Sequence, residues 1–409
     1  MSEPRSAPRA VVLERPWRRQ GPLRCLQGQA SLGQQDISTE DGQMEAQGGG
    51  GQTGPREESV LAAVREAAEE GHSNEIDVFF VQGMLLAYLE HYAEEPFRVL
   101  HVEEEFDIPM SRICRDVLGR EWGGPEEWTW AGKVDGVVEF DGLIFVLEHK
   151  TTSASIEDPG GIYWSSLGMS GQDAAYEAAL NDRGYEVAGT IYDAIRKPVI
   201  KPKKLTKKEI QSLEEERLWQ GLVVEDAVVE EASHNWRETP ALYGMRVYRT
   251  MCDNPRKYFQ RQVIHKTRKQ VAEFITEVDA AIAMVEENRA SHSHIRHLGA
   301  CFSYNRACPY VGLCQRKDNP ESSRWTRRKK TNNELTVGGH YSMTYSRKSC
   351  LQLCPRKHHY QYDLKLERKD KPRDGNLYKG SLAHKGLEQH FKNVRANQRA
   401  EAERANEPE

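Results

Sequence analysis

Residues 134–152 read VDGVVEFDGLIFVLEHKTT: two runs rich in β-branched and aromatic side chains, separated by Asp141-Gly142. An Asp-Gly pair tolerates positive φ at both central positions of a type I′ turn, so the spacing predicts a hairpin with arms 134–140 and 143–150. A two-residue loop sets Phe140 against Leu143, and counting outward sets Asp135 directly opposite Glu148. Such partners point to one face with Cβ atoms about 4.5–5.5 Å apart. Alternation places Lys150 on that face too, together with Val137, Ile144 and Val146. Two carboxylates this close repel each other, and an unpaired charge in apolar surroundings costs several kcal/mol. A divalent ion and the neighbouring ammonium are the natural occupants of the space between them. The alternative, a solvated edge hairpin carrying an ion pair, fits poorly with the apolar neighbours on the same face.

The chain has 409 residues, enough for one large domain or two ordinary ones, and a formal charge of -5. No global basic field announces a nucleic-acid partner, so any such contact must come from local patches. No apolar run reaches the roughly 18 residues of a membrane span, and the N-terminus lacks a signal-peptide core. A soluble, intracellular protein without a membrane partner is expected. Eight cysteines in a chain of this length do not make a disulfide scaffold, and clustered cysteines in a reducing compartment more often hold metal.

Residues 1–57, with GGGGQTG at 48–54, are poor in large apolar side chains and are expected to be disordered. A main body is expected over 58–314. It opens with helical patterns from Ser59 and continues through a strand at 97–108, the hairpin, a helix at 172–180 and a buried strand at 187–194. Residues 201–216 are charged and read as a solvated loop and helix, and 256–288 read as one long amphipathic helix. The basic stretch 315–340, containing RWTRRKK, reads as a linker with Trp325 available for stacking. A further helical block follows at 341–395, then a disordered tail at 396–409.

Asp135 followed by Glu148-x-Lys150 at the end of a hairpin resembles motifs II and III of the PD-(D/E)XK nuclease superfamily. Gln172-x-x-x-Tyr176 is similar to the QxxxY motif of its RecB-like branch, with i,i+4 spacing that puts both side chains on one helix face. YDAIRKP at 192–198, CPRKHHYQY at 354–362 and GSLAHKGLE at 380–388 resemble further blocks of the RecB-like and AddB-like members. In those families the last two blocks precede the hairpin, whereas here they follow it, so the chain reads as a circular permutation joined through 315–340. The last block is then expected to fold back beside the hairpin.

The resemblance implies an α/β, restriction-endonuclease-like fold, a mixed central β-sheet flanked by helices. It implies metal-dependent hydrolysis of DNA, exonucleolytic in character, in repair, recombination or phage DNA processing. Asp135, Glu148, the His149 carbonyl and His384 would hold Mg²⁺ or Mn²⁺, hard ions suited to oxygen ligands. Lys150 would orient or deprotonate water, with Gln172 and Tyr176 positioning it. Helix-face pairing with Glu388 is the rival role for His384, and an ordinary amphipathic helix is the rival for Gln172 and Tyr176. Cys301, Cys308 and Cys314, joined by Cys354, would hold a 4Fe–4S cluster that staples the body, with Zn²⁺ or free buried thiols as alternatives and Cys350 as a substitute ligand. Arg196 and Lys197 would contact the DNA backbone. DNA is the implied partner, delivered by a helicase or recombination protein in the cytoplasm of a bacterial or phage-infected cell. A catalytically silent DNA-binding module of the same fold, or a zinc- or cluster-bearing regulator, is the alternative.

Overall fold

The Asp141-Gly142 turn forms as the sequence predicts, with φ of 50° and 75° at its two residues. The computed structural model describes residues 17–18, 54–71, 73–303, 306–328, 341–370 and 375–405. Its centre is a mixed, six-stranded sheet made of β1 (Arg98–Pro109), β2 (Thr129–Phe140), β3 (Leu143–Thr152), β4 (Val187–Arg196), β5 (Phe259–Ile264) and β6 (Ser342–Met343). β2 pairs antiparallel with both β1 and β3, β3 runs parallel to β4, and β5 closes the far edge antiparallel to β4.

The β2–β3 ladder starts with Phe140 opposite Leu143 and ends with Gly136 opposite Leu147, after which the two strands part. β6 runs parallel to the other end of β2, Ser342 against Thr129 and Met343 against Trp130. β1 already occupies one edge of β2 as far as Thr129, so β6 must sit on the edge that β3 has left. Residues 131–135 of β2 therefore face a gap in the sheet. The C-terminal block folds back beside the hairpin and bounds that gap.

Seven helices matter for the site: α1 (Pro55–Gly71), α2 (Glu75–His91), α3 (Gln172–Asp182), α4 (Pro240–Cys252), α5 (Arg268–Ala290), α6 (Tyr345–Leu353) and α7 (Gly375–Ala405). Successive residues of β2 divide the core between two faces, as a pleated strand must. Val137 and Val146 pack under α3 and α5 against Ala175, Tyr176, Phe274 and Val278. Val138, Phe145 and Leu147 pack on the other face against Phe391 of α7. Behind α7, Leu382 and Leu387 join α1, α2 and α4 through Val64, Leu85 and Met245.

Several expectations need correction. Residues 256–288 are not one helix: Pro255–Tyr258 makes a single turn, β5 follows, and α5 begins only at Arg268. Within β5, Phe259 and Arg261 point inward, each 2 % exposed, a period-two pattern that the helical reading overran. Thr267 then opens α5 with a capping box, accepting the Gln270 N–H at 3.2 Å while the Gln270 side chain accepts the Thr267 N–H at 2.9 Å. Residues 396–405, expected as a tail, continue α7 to Ala405. Gln398 ties this end to β1 by accepting the Val99 N–H at 2.9 Å and donating to the Phe97 carbonyl at 3.0 Å.

Within the basic stretch, Trp325–Arg327 pairs antiparallel with Leu366–Arg368. Trp325 is buried and stacks on Tyr310 at 5.3 Å, so it offers no exposed surface to a base. Lys207–Glu216 is helical as expected, and Trp17–Arg18 adds a short strand to Leu222–Val224. The rest of 1–53, residues 329–340 and residues 406–409 lie outside the described residues. Among the described residues no helix is long and apolar enough to cross a membrane.

Candidate active site and metal centre

Where β2 and β3 part, side chains replace the missing ladder. Asp135 Oδ2 accepts the backbone N–H of His149 at 2.9 Å, standing in for a strand carbonyl. The His149 ring points to the opposite face, where Nδ1 lies 3.1 Å from Asp193 Oδ2 and the imidazole stacks on Phe391. Glu148 and Lys150 share the α3 face, as alternation requires. Glu148 is only 3 % exposed, and its Oε1 contacts the Lys150 ammonium. Gln172, at the start of α3, donates from Nε2 to Glu148 Oε1 at 3.0 Å and accepts from Lys150 Nζ at 3.0 Å. The same Nε2 donates to the Tyr176 hydroxyl at 2.6 Å, so the i,i+4 pair acts as a brace beneath the lysine.

α7 brings His384 to this cluster. Its Nε2 lies 3.0 Å from Glu103 Oε1 and its Nδ1 lies 3.8 Å from Asp135 Oδ2. Glu388, the rival partner, is engaged by Lys385 at 2.7 Å and Lys392 at 2.6 Å. Glu103 was not singled out in the sequence. It lies on β1 opposite Asp135, between the pairs Val102–Gly136 and Glu104–Val134, and adopts a left-handed φ of 56°. A non-glycine residue held there within a strand carries local strain. Donor atoms of Glu103, Asp135 and His384 all lie within 4.8 Å of one another.

The charges of this cluster act strongly on one another. Burial first, and then the Asp135 carboxylate, raise the proton affinity of Glu148 despite the ammonium beside it. Its Oε2 is buried with no hydrogen-bond partner. Burial works against charge on His384, but Asp135 and Glu103 outweigh it and push the imidazole up to about 9. Burial also opposes charge on Glu103, yet His384 and Lys133 hold its carboxyl down at about 2. Three carboxylates and one imidazole form a donor set of hard oxygens and borderline nitrogen, which suits Mg²⁺ or Mn²⁺.

The four predicted cysteines also converge. The Cys308 N–H donates to the Cys301 carbonyl at 2.7 Å, Cys314 ends the short helix Val311–Cys314, and Cys354 precedes the turn Pro355–His358. Burial chiefly raises the proton affinity of Cys308 and Cys314, and each also feels Cys301 and Cys354. Cys354, forty residues beyond Cys314, is thus brought to the other three. Cys350 is pushed up to about 11, mainly by burial, with Cys354 and Cys308 contributing. Among the described residues, the sets of three donors lying within 4.8 Å of one another contain no cysteine.

Arg196 and Lys197 lie at the end of β4. Arg196 pairs with Glu157 at 3.0 Å, whereas Lys197 is 7 % exposed and, among the described residues, reaches no carboxylate. Among comparisons with known proteins, a family model of the PD-(D/E)XK nuclease superfamily matches residues 44–315 and 342–408. No curated protein and no solved structure matches the chain.

Proposed function

Because the chain belongs to the PD-(D/E)XK nuclease superfamily, we propose that it is a metal-dependent deoxyribonuclease, an exonuclease of the RecB-like branch. The observation that carries this reading is the buried, unpartnered Oε2 of Glu148 beside Asp135 and Lys150. Asp135, Glu148, the His149 carbonyl and His384 would hold Mg²⁺ or Mn²⁺, with Glu103 completing the set. The ion would supply a water of lowered pKa and offset charge on the phosphoryl oxygens. Lys150 would orient water and meet the charge developing on the phosphate. Gln172 fixes the ammonium between its amide and Glu148, and Tyr176 holds the amide. The His149 N–H fixes the rotamer of Asp135, so that both carboxylates face the gap in the sheet.

In this reading the C-terminal block is the permuted start of the nuclease domain, since it supplies both β6 and His384. Cys301, Cys308, Cys314 and Cys354 would hold a 4Fe–4S cluster, with one tetrahedral Zn²⁺ as the alternative. Four irons per chain, lost in Cys354→Ser, are expected from metal analysis of anaerobically purified protein, and one zinc would support the alternative. DNA is the substrate, brought by a helicase or recombination partner.

The test is incubation of anaerobic protein with end-labelled linear DNA and Mg²⁺ or Mn²⁺, beside Glu148→Ala and Lys150→Ala. Shortening from the ends that requires the ion and falls about 10³-fold or more in both variants is expected. Intact DNA with folded wild-type protein would overturn the nuclease reading and favour a DNA-binding module of the same fold.

A further inference from the structure

Among the described residues, Lys197 is a buried cation with no carboxylate paired to it. The residue is 7 % exposed, and its Nζ makes one hydrogen bond, to the Thr151 hydroxyl at 3.2 Å. Its backbone N–H is spent on the Thr152 carbonyl at 2.7 Å. The charge it does feel is another ammonium, Lys379 of α7, which has its own carboxylate in Asp77 at 3.0 Å. Burial first, and Lys379 second, hold the Lys197 ammonium down at about 8. A lysine kept this way destabilises the fold unless something anionic arrives.

The surroundings indicate which anion. Lys197 directly follows β4, and Thr151 directly follows Lys150 on the parallel strand β3. Ligands of open α/β sheets gather at such carboxyl ends of parallel strands. Gly380 closes the space from α7: a Cβ there would stand 2.9 Å from the Thr151 hydroxyl, so glycine permits the close approach. Gly380 and His384 are four residues apart on one helix, about 6 Å along the axis, comparable to a nucleotide or two of strand at about 3.4 Å each. An anion held at Lys197 would therefore sit a step along the strand from the metal centre.

We infer that Lys197, Lys379 and Thr151 form a phosphoryl-binding subsite, which takes a phosphate of the nucleic-acid strand next to the one being cut. This rests on the nuclease reading for the identity of the strand, and on the unpaired cation for the existence of the site. A terminal phosphate and an internal phosphodiester present the same chemistry to it.

The test uses the full chain with Ca²⁺ replacing Mg²⁺ and short oligonucleotides carrying either a 5′-phosphate or a 5′-hydroxyl. Lys197→Met and Thr151→Val are expected to weaken binding, Lys197→Met by about tenfold or more, the weight of a hydrogen bond to a charged group. A larger loss for the phosphorylated oligonucleotide identifies the terminal phosphate, and equal losses identify an internal phosphodiester; both support the subsite. The ligand-free Lys197→Met protein should melt higher than wild type, because a functional burden has been removed. Unchanged binding in both variants, or a lower melting temperature with unchanged binding, would overturn the inference. Wild-type protein that binds through Lys197 yet cuts nothing would defeat the nuclease reading alone, and active protein indifferent to Lys197 would defeat the subsite alone.

Discussion

Glu148 on β3 and Asp193 on β4 lie on neighbouring parallel strands and are almost equally inaccessible, 3 % and 0 % exposed, yet they end in opposite states. Burial raises the proton affinity of both. Around Asp193 that effect is overturned: Arg261 pairs with it at 3.3 Å, His149 lies at 3.1 Å, and the Tyr88 hydroxyl donates at 2.5 Å. Its carboxyl is held well below the usual range. Arg261 also holds Glu95 at 2.6 Å, and Glu95 meets His390 at 3.2 Å. Around Glu148, one ammonium and one amide engage Oε1, Asp135 repels, and Oε2 is left over. Asp193 Oδ1 also lacks a hydrogen bond, but it lies 3.3 Å from Arg261 Nε, whereas among the described residues no cation is paired with Glu148 Oε2. On the proposed reading, that oxygen is where a cation binds.

That contrast can be broken at either end. Arg261→Met should cost about 3–5 kcal/mol in urea unfolding, because it strands Asp193 and Glu95 without their cation. A cost below about 1 kcal/mol would mean that the matched cluster is not what stabilises this face. Glu103→Gln should lower stability, because His384 and Lys133 lose the carboxylate they pair with, and should also raise the Mn²⁺ concentration for half-maximal cleavage by about 10–100-fold. An unchanged metal requirement would make Glu103 a mere partner of His384.

The smallest effect concerns Lys197. Its proton is held more weakly in the fold, at about 8, than in an unfolded chain at 10.5, so stability present above 10.5 is lost as pH falls through about 8. The melting-temperature advantage of Lys197→Met should be fully present below that range and shrink as pH rises toward 10.5. A gap that does not change with pH would remove the buried charge as its cause.

The sequence carried the hairpin because Asp141-Gly142 fixes the register, and that register alone puts Asp135, Glu148 and Lys150 at one end of the sheet. Gln172 and Tyr176 were singled out by the resemblance to a QxxxY motif, with helical spacing putting them on one face, and the structure brings Gln172 to Lys150 and Tyr176 to Gln172. Glu103 was hidden because it stands in a run of three glutamates, and a register shift between Val99 and His101 decides which of them faces Asp135. β5 was hidden because its alternation runs straight into the apolar spacing of α5, and the dividing signal is a single capping threonine. The pairing of Lys197 with Lys379 joins segments far apart in the chain, so no local pattern could announce it.

The central claim is that Glu148 is left unmatched so that a divalent cation can complete it. Calorimetric titration of Mn²⁺ into metal-free wild-type protein and into Glu148→Gln, without DNA, tests it most directly. The account predicts saturable binding by wild type, weakened about tenfold or more by the substitution. Equal affinities, or no binding by folded wild-type protein, would contradict it.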